Sequence, residues 1–273
     1  MTGTTEAATP PKMPAVRAVS FGDISAALSG RSFSTAGRAG FSDFARAPLF
    51  GLFFGGVFAA GGLFILAALY VFEMPWMIIP VAIGFPLIGP FVAVGLYEVS
   101  RRLASGKPLI WREVLLVVFR QRETQLGWMA FVVLFIFWMW IYQVRLLFAL
   151  FLGFKRISGI GRFIEVTTTS AEGLGFLAVG TAFGAALAFV LFSATVIAMP
   201  LLLDRELDFV SAMITSFKTV LKSPLPMISW GILITILAVI AMLPAFLGMI
   251  VILPVLGHAT WHLYERAIGS QPA

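Results

Sequence analysis

From residue 47 onward the chain alternates long uncharged apolar runs with short charged segments. Four runs reach the roughly 20 apolar residues that a membrane-crossing helix requires: Leu49–Phe72, Trp76–Val99, Leu126–Phe148 and Leu174–Leu203. A fifth, Met227–Tyr264, holds 38 residues without a formal charge, too many for one tilted helix and suited to two. Pro244 lies in its middle and lacks the amide hydrogen that would continue a helix. Leu243-Pro244-Ala245-Phe246 also resembles the short connection Glu73-Met74-Pro75-Trp76. The run therefore predicts spans over Met227–Leu243 and Phe246–Tyr264, making six in an all-α, polytopic transmembrane helix bundle.

Between the runs lie shorter amphipathic stretches. Over Phe209–Lys222 the residues Phe209, Val210, Met213, Ile214, Phe217, Val220 and Leu221 share one helical face. Asp208, Ser211, Thr215, Lys218 and Lys222 take the other, and Pro224 ends the stretch. A similar stretch runs from Pro108 to Arg120 around Trp111, Val114, Leu115 and Val118, and a weaker one surrounds Phe21, Ile24 and Leu28. Such helices are expected to lie flat at a membrane surface, with Phe209, Met213 and Phe217 turned into the membrane or the bundle. Pro86-Leu87-Ile88-Gly89 leads to Tyr97-Glu98 and Arg101, as Pro254-Val255-Leu256-Gly257 leads to Tyr264-Glu265 and Arg266. These echoes predict three parallel units, 17–99, 108–203 and 207–266, each an interfacial helix followed by a helical hairpin. Together they form one transmembrane domain over 17–266, preceded by a disordered cytoplasmic tail over 1–16 that carries Pro10, Pro11 and Pro14.

Composition agrees with a membrane protein: 60% of the 273 residues are hydrophobic and 12% are charged, about half the charged share of a soluble domain. The absence of cysteine excludes a disulfide scaffold, a thiolate metal site and a cysteine nucleophile. The net charge of +6 is informative by position rather than by sum. Six spans put Lys12, Arg17, Arg31, Arg38, Arg46, Arg101, Arg102, Lys107, Arg112, Arg120, Arg122, Arg205, Lys218, Lys222 and Arg266 on one side. Only Arg145, Lys155, Arg156 and Arg162 remain for the other. The positive-inside rule makes the first side cytoplasmic, with both termini on it, and accounts for the basic balance without a nucleic-acid partner.

Three strings, Leu201–Val210 (LLLDRELDFV), Thr167–Phe176 (TTTSAEGLGF) and Leu253–Tyr264 (LPVLGHATWHLY), resemble a prokaryotic family of predicted integral membrane proteins of unknown function. Some of its members are labelled cytochrome c oxidase subunit I-like. The resemblance runs from about Val16 to Arg266 and implies a bacterial inner-membrane protein, with no activity and no catalytic residues to carry over.

Candidate chemistry is sparse. His258 and His262, the two histidines, stand i and i+4 on one helical face with Glu265. That geometry could offer imidazoles to a metal or a haem, but a metal site would need a further ligand from another helix, and at a membrane edge interfacial packing or hydrogen bonding accounts better for the pair. Glu73, Glu98, Arg145 and Glu265 fall at the ends of spans, where Glu98 can pair with Arg101 or Arg102 and Glu265 with Arg266. Ser193 and Thr195 are expected to bond backbone carbonyls. Asp204, Glu206 and Asp208 read as acids opening an amphipathic helix. Gly51 and Gly55, and likewise Gly180 and Gly184, have the small-x3-small spacing of close helix contact.

The sequence thus predicts a non-enzymatic scaffold or accessory subunit of the inner membrane, with no cofactor. Its expected contacts are the lipid bilayer and a membrane-protein partner or a second copy. A small-molecule or ion permease and a haem or metal redox component are the alternatives.

Overall fold

A computed structural model describes residues 13–29, 40–70, 78–120, 125–153 and 160–269. Residues 1–12 of the predicted tail, the Glu73–Trp76 connection and Lys155 and Arg156 lie outside the described residues. Within them the chain is helical, and no strand occurs. The helices are α1 (Phe21–Ser29), α2 (Gly40–Arg46), α3 (Pro48–Tyr70), α4 (Ile78–Ser105), α5 (Trp111–Arg120) and α6 (Gln125–Leu152). They continue as α7 (Ile160–Thr169), α8 (Ala171–Thr195), α9 (Ala198–Asp204), α10 (Phe209–Lys222), α11 (Pro224–Met242) and α12 (Met249–Ile268).

Among the described residues, each predicted span falls largely on helix, the fourth on two helices, α8 and α9. Among the described residues, three helical stretches suffice by length and composition to cross a membrane: Gln125–Leu152, Ala171–Asp204 and Pro224–Met242. A fourth is reached if Gly40–Arg46 and Pro48–Phe64, bent by 106°, count as one. The count of six stays an expectation from the sequence. α12 falls short because its second half carries two histidines, Glu265 and Arg266.

Prolines set several boundaries. Pro48 and Pro224 each occupy a first helical position, where no amide hydrogen is required. Pro200 clashes with a continuous turn back to Val196, and the predicted fourth span is accordingly broken between α8 and α9. The buried amide of Ile197, left without a helical partner at this break, donates to Ser216 Oγ, 3.1 Å away on α10. The Pro244 turn closes through left-handed Ala245 and Phe246, with φ of 51° and 65°. α7 was not expected from the sequence, and the next helix starts at Ser170, whose Oγ accepts from Gly173 N at 3.0 Å.

The interior sits at one end of the bundle. Val94–Ser100 of α4, Ala198–Leu203 of α9 and Leu256–Tyr264 of α12 are buried without interruption. Around them pack Leu126, Met129, Met227 and Trp230. α3 lies along α12 through its glycines: a Cβ on Gly55 would fall 2.6 Å from the Ile250 carbonyl oxygen, and one on Gly62 would enter the Phe246 ring. Pro254 cannot donate to that Ile250 carbonyl, so the backbone of α3 approaches where α12 has lost a hydrogen bond. The glycine spacing of the first span thus serves internal packing. Gly184 likewise lies under Trp140, but beside Gly180 the nearest atom to an added Cβ is Leu147 Cδ1 at 3.9 Å, so Gly180 makes no close helix contact.

The three amphipathic stretches are helical, but none is a free surface helix. α1 is anchored beside α12 and α11: Arg17 N donates to Ala267 O at 2.8 Å, and Val19 N to Ser223 Oγ at 2.7 Å. On α5, Val114 is buried and Trp111 stacks on Phe50 with ring centroids 4.0 Å apart. On α10 the buried face is Ala212, Thr215, Ser216, Thr219 and Val220. This corrects the predicted polar role of Thr215. Phe209, Met213 and Phe217 are only half-buried on the flank, and Val210, Ile214 and Leu221 are exposed. Phe209 stacks on Trp128 at 5.7 Å.

Candidate functional site: a buried polar chain

α2 is a short helix of about two turns held across α12 by a glycine. A Cβ on Gly40 would collide with the Val255 carbonyl and lie 2.8 Å from the Ala259 amide. That contact carries Asp43, three residues on, into the interior, where it is 1% exposed.

There Asp43 meets both histidines indirectly or directly. His262 Nε2 lies 2.7 Å from Asp43 Oδ2, and His262 Nδ1 lies 3.0 Å from Glu265 Oε2. Ser100 of α4 donates to Asp43 Oδ2 at 2.8 Å, and its Oγ lies 2.8 Å from His258 Nδ1. The result is a continuous hydrogen-bonded chain, His258–Ser100–Asp43–His262–Glu265, joining α2, α4 and α12. His258 and Ser100 are fully buried, His262 is 3% exposed, and the Glu265 side chain reaches the surface at 16%. His258 Nε2 has no hydrogen-bond partner among the described residues.

Charged pairs surround this chain. Glu98 is fully buried, and its two oxygens accept from Arg101 Nε at 2.7 Å and Arg102 Nε at 2.6 Å. Arg102 also donates to Glu113 Oε2 at 2.5 Å and to the Pro108 carbonyl at 3.0 Å, clasping α5 to α4. Tyr264 OH donates to Asp204 Oδ2 at 2.7 Å. Arg266 stands 3.8 Å from Asp23 Oδ1. Burial raises the Asp23 carboxyl, but hydrogen bonds from Ser20 and the charges of Arg17 and Arg266 outweigh it and hold the group below its ordinary range.

The sequence paired Glu98 with its arginines as found, but gave Glu265 to Arg266, whereas Glu265 turns to His262. The histidines were placed at a wet membrane edge, and they are instead dry. Their imidazoles are engaged with Ser100, Asp43 and Glu265 rather than arrayed around a common point, and among the described residues no group of three or more His, Asp or Glu could hold a metal ion. Asp43 and Ser100 were missed. The available signal was that Asp43 is the single acid between Asp23 and Glu73, set just ahead of the first span. Of the acidic trio, Asp208 caps α10 by accepting from Ser211 N at 2.8 Å, Asp204 serves Tyr264, and Glu206 is exposed.

Two clefts open between helices farther from the core. One, of about 470 Å³, separates α8 from α11 and is lined by Ala188, Phe192, Gly231, Ile232 and Thr235 among others. The other, of about 190 Å³, lies between α6 and α8 at Trp140 and Gly184. Thr235 brings the one hydroxyl to either lining, and it donates to its own helix at Gly231 O.

Residues 77–204 match the model of the family described as predicted integral membrane protein (DUF2189). The matched residues include the Thr167–Phe176 string and stop short of Leu253–Tyr264, so the match is narrower than the expected Val16–Arg266. No curated protein and no solved structure matches the chain.

Proposed function

We propose, with membership in that family of predicted integral membrane proteins as the premise, that the chain is a non-enzymatic scaffold or accessory subunit of a bacterial inner membrane. One observation supports this reading above the others: a closed core at one end of the bundle is joined to helices that expose apolar faces along their length. The ends of α4, α9 and α12 form a closed core, whereas α6 exposes Trp128, Phe131, Phe135, Trp138, Tyr142, Leu146 and Leu150 along its length. α11 exposes Ile228, Ile232, Ile236, Val239 and Ile240. In a bilayer such faces meet lipid chains or the helices of another protein, and association there rests on packing rather than on burial from water. A permease would place polar side chains around a water-filled cavity. The described clefts are apolar and the polar chain is enclosed, which favours a scaffold. A haem or metal component is less well supported, because the histidine pair is engaged by Asp43, Ser100 and Glu265.

The test is purification of the tagged protein from its native membrane in mild detergent, with an absorbance spectrum and identification of stoichiometric companions. The scaffold reading expects a reproducible membrane-protein companion or a second copy, cross-linked through a photoreactive residue at Trp138 or Ile232 and not at exposed Lys107. A Soret band or a stoichiometric metal lost in His258→Ala would overturn it in favour of the redox reading. Solute uptake dependent on the protein would overturn it in favour of the permease.

A further inference from the structure

We infer that Asp43, His262 and Glu265 form a buried proton-binding site that carries one labile proton and fastens the N-terminal segment to α12. The inference rests on hydrogen-bond bookkeeping. Imidazole His262 lies between two carboxylate oxygens, at 2.7 Å and 3.0 Å, and an ionised carboxylate only accepts. Each of the two links therefore needs a proton. A neutral imidazole supplies one, so the second must come either as imidazolium or as a protonated carboxyl, and the three groups share two protons with a net charge of −1 in either form. Loss of the second proton leaves two lone pairs facing each other across one link. In a buried site that repulsion has no water to relieve it.

The same counting fixes the rest of the chain. Ser100 donates its single proton to Asp43, so it accepts from His258, which must carry its proton on Nδ1. Nε2 of His258 is then a bare, buried acceptor, consistent with its lack of a partner. The labile proton thus has a path in one direction only, through His262 to the partly exposed Glu265. It passes from His262 Nδ1 to Glu265 Oε2 and on to water, leaving His262 neutral with its remaining proton on Nε2, donated to Asp43.

The charges on the packed elements are identifiable. α4 brings Glu98 with Arg101 and Arg102, α12 brings Arg266, and α1 brings Asp23, already paired with Arg266. α9 brings Asp204, which accepts from Tyr264, followed by Arg205, which donates to the Gly269 carbonyl, and α11 carries no charge. α3 carries no charge, and Arg46 ends α2 itself. Glu98 is saturated by two arginines, so the acids available to the imidazole are Asp43 and Glu265.

The test uses the full-length protein in nanodiscs, labelled with ¹⁵N-histidine, and reads ring-nitrogen protonation between about pH 6 and 8, the interval in which a free imidazole titrates. The expected spectrum of the unmodified protein has His258 neutral and protonated on Nδ1 throughout. His262 carries two N–H protons at the acid end, and its loss of the second moves to lower pH by at least one unit in Asp43→Asn. Glu265→Gln should move it likewise. A His262 that is singly protonated throughout the range while the Asp43 and Glu265 carboxyls, read by ¹³C labelling, stay ionised overturns the proposal, as does a titration unmoved by both substitutions. Should the variants not fold, the unmodified protein still decides through its own titration. A second readout exploits the absence of cysteine. Ala47→Cys, beside the fastened turn and 4% exposed, should be alkylated at least tenfold more slowly than exposed Ala45→Cys while His262 is doubly protonated. The difference should persist as the labile proton leaves, because His262 Nε2 still donates to Asp43, and the ratio of the two rates should fall toward one in Asp43→Ala. A ratio unchanged by Asp43→Ala would overturn the fastening role.

Discussion

At the scale of single residues, the glycines show how little spacing says without a neighbour. Gly55 and Gly180 sit in equivalent small-x3-small patterns, but one faces the Ile250 carbonyl and the other faces nearly open space. Gly55→Ala must push α3 away from α12, at a cost of about 1–3 kcal/mol. Gly180→Ala meets no obstacle and removes backbone freedom from the unfolded chain, a gain of about 0.5–1 kcal/mol. Thermal unfolding in one detergent should therefore move in opposite directions for the two. Asp208 offers a test with a pH signature. Its carboxylate accepts from Ser211 N, and that bond holds the group below its ordinary 3.8. A group depressed in the folded state contributes above its unfolded pKa and loses the contribution as pH falls through the folded one. Asp208→Ala should accordingly cost about 1 kcal/mol at neutral pH and progressively less below about pH 4. A cost independent of pH would mean that the cap acts through shape rather than charge.

At the scale of elements, the periodicity located the helices but left open whether the stripe of Phe209, Met213 and Phe217 turns to the membrane or to the bundle. In the structure that stripe lies half-buried on the flank of α10, and the buried face is Ala212, Thr215, Ser216, Thr219 and Val220. Beside a bilayer, large apolar side chains are at ease on the outside, so the inward face can be the one that allows the closest approach. Thr215 and Thr219 make this possible by donating to Ser211 O and Thr215 O, at 2.8 Å and 2.9 Å, which satisfies their hydroxyls inside their own helix. Ser216 instead reaches across to the amide of Ile197, freed by the Pro200 break. Ser216→Ala should leave that buried amide unpaired and lower stability by about 1–3 kcal/mol. Leu221→Ala, on the exposed flank, should change it by less than about 0.5 kcal/mol. Equal effects would show that α10 does not dock through its small face. The polar chain around Asp43 was illegible for a different reason. Asp43 and His262 are 219 residues apart, and no local pattern in either segment reports that the other exists. What was legible was the i, i+4 histidine pair itself; what was missing was its partner.

At the scale of the whole molecule, the contacts at the closed end constrain topology more firmly than hydropathy does. Residue 16 accepts from Lys222 Nζ at 2.6 Å, Arg17 bonds to Ala267, and Arg205 donates to the Gly269 carbonyl at 2.6 Å. Gln125 accepts from Phe209 N at 3.0 Å, and Arg102 joins α4 to α5. The N-terminal segment, the connections after α4 and α9, and the C-terminus therefore gather at one end. Each hairpin, α3 with α4, α6 with α8 and α11 with α12, leaves that end and returns to it, so the number of membrane crossings between successive gathering points is even. Three crossings, the number that length and composition give among the described residues, would break this parity, because the α11–α12 hairpin would then leave its returning half on the wrong side. The gathered end also carries Arg101, Arg102, Arg205, Lys218, Lys222 and Arg266, and by the positive-inside rule it is the end expected on the cytoplasmic side. Reporter fusions at Lys107, Lys155 and the C-terminus should accordingly read inside, outside and inside. A C-terminus reading outside would separate Ala267 from Arg17 by a bilayer and is incompatible with the hydrogen bond that joins them. A reporter at Lys155 reading inside would turn the α6–α8 hairpin into a re-entrant element, leaving parity intact but reducing the count of full spans to four.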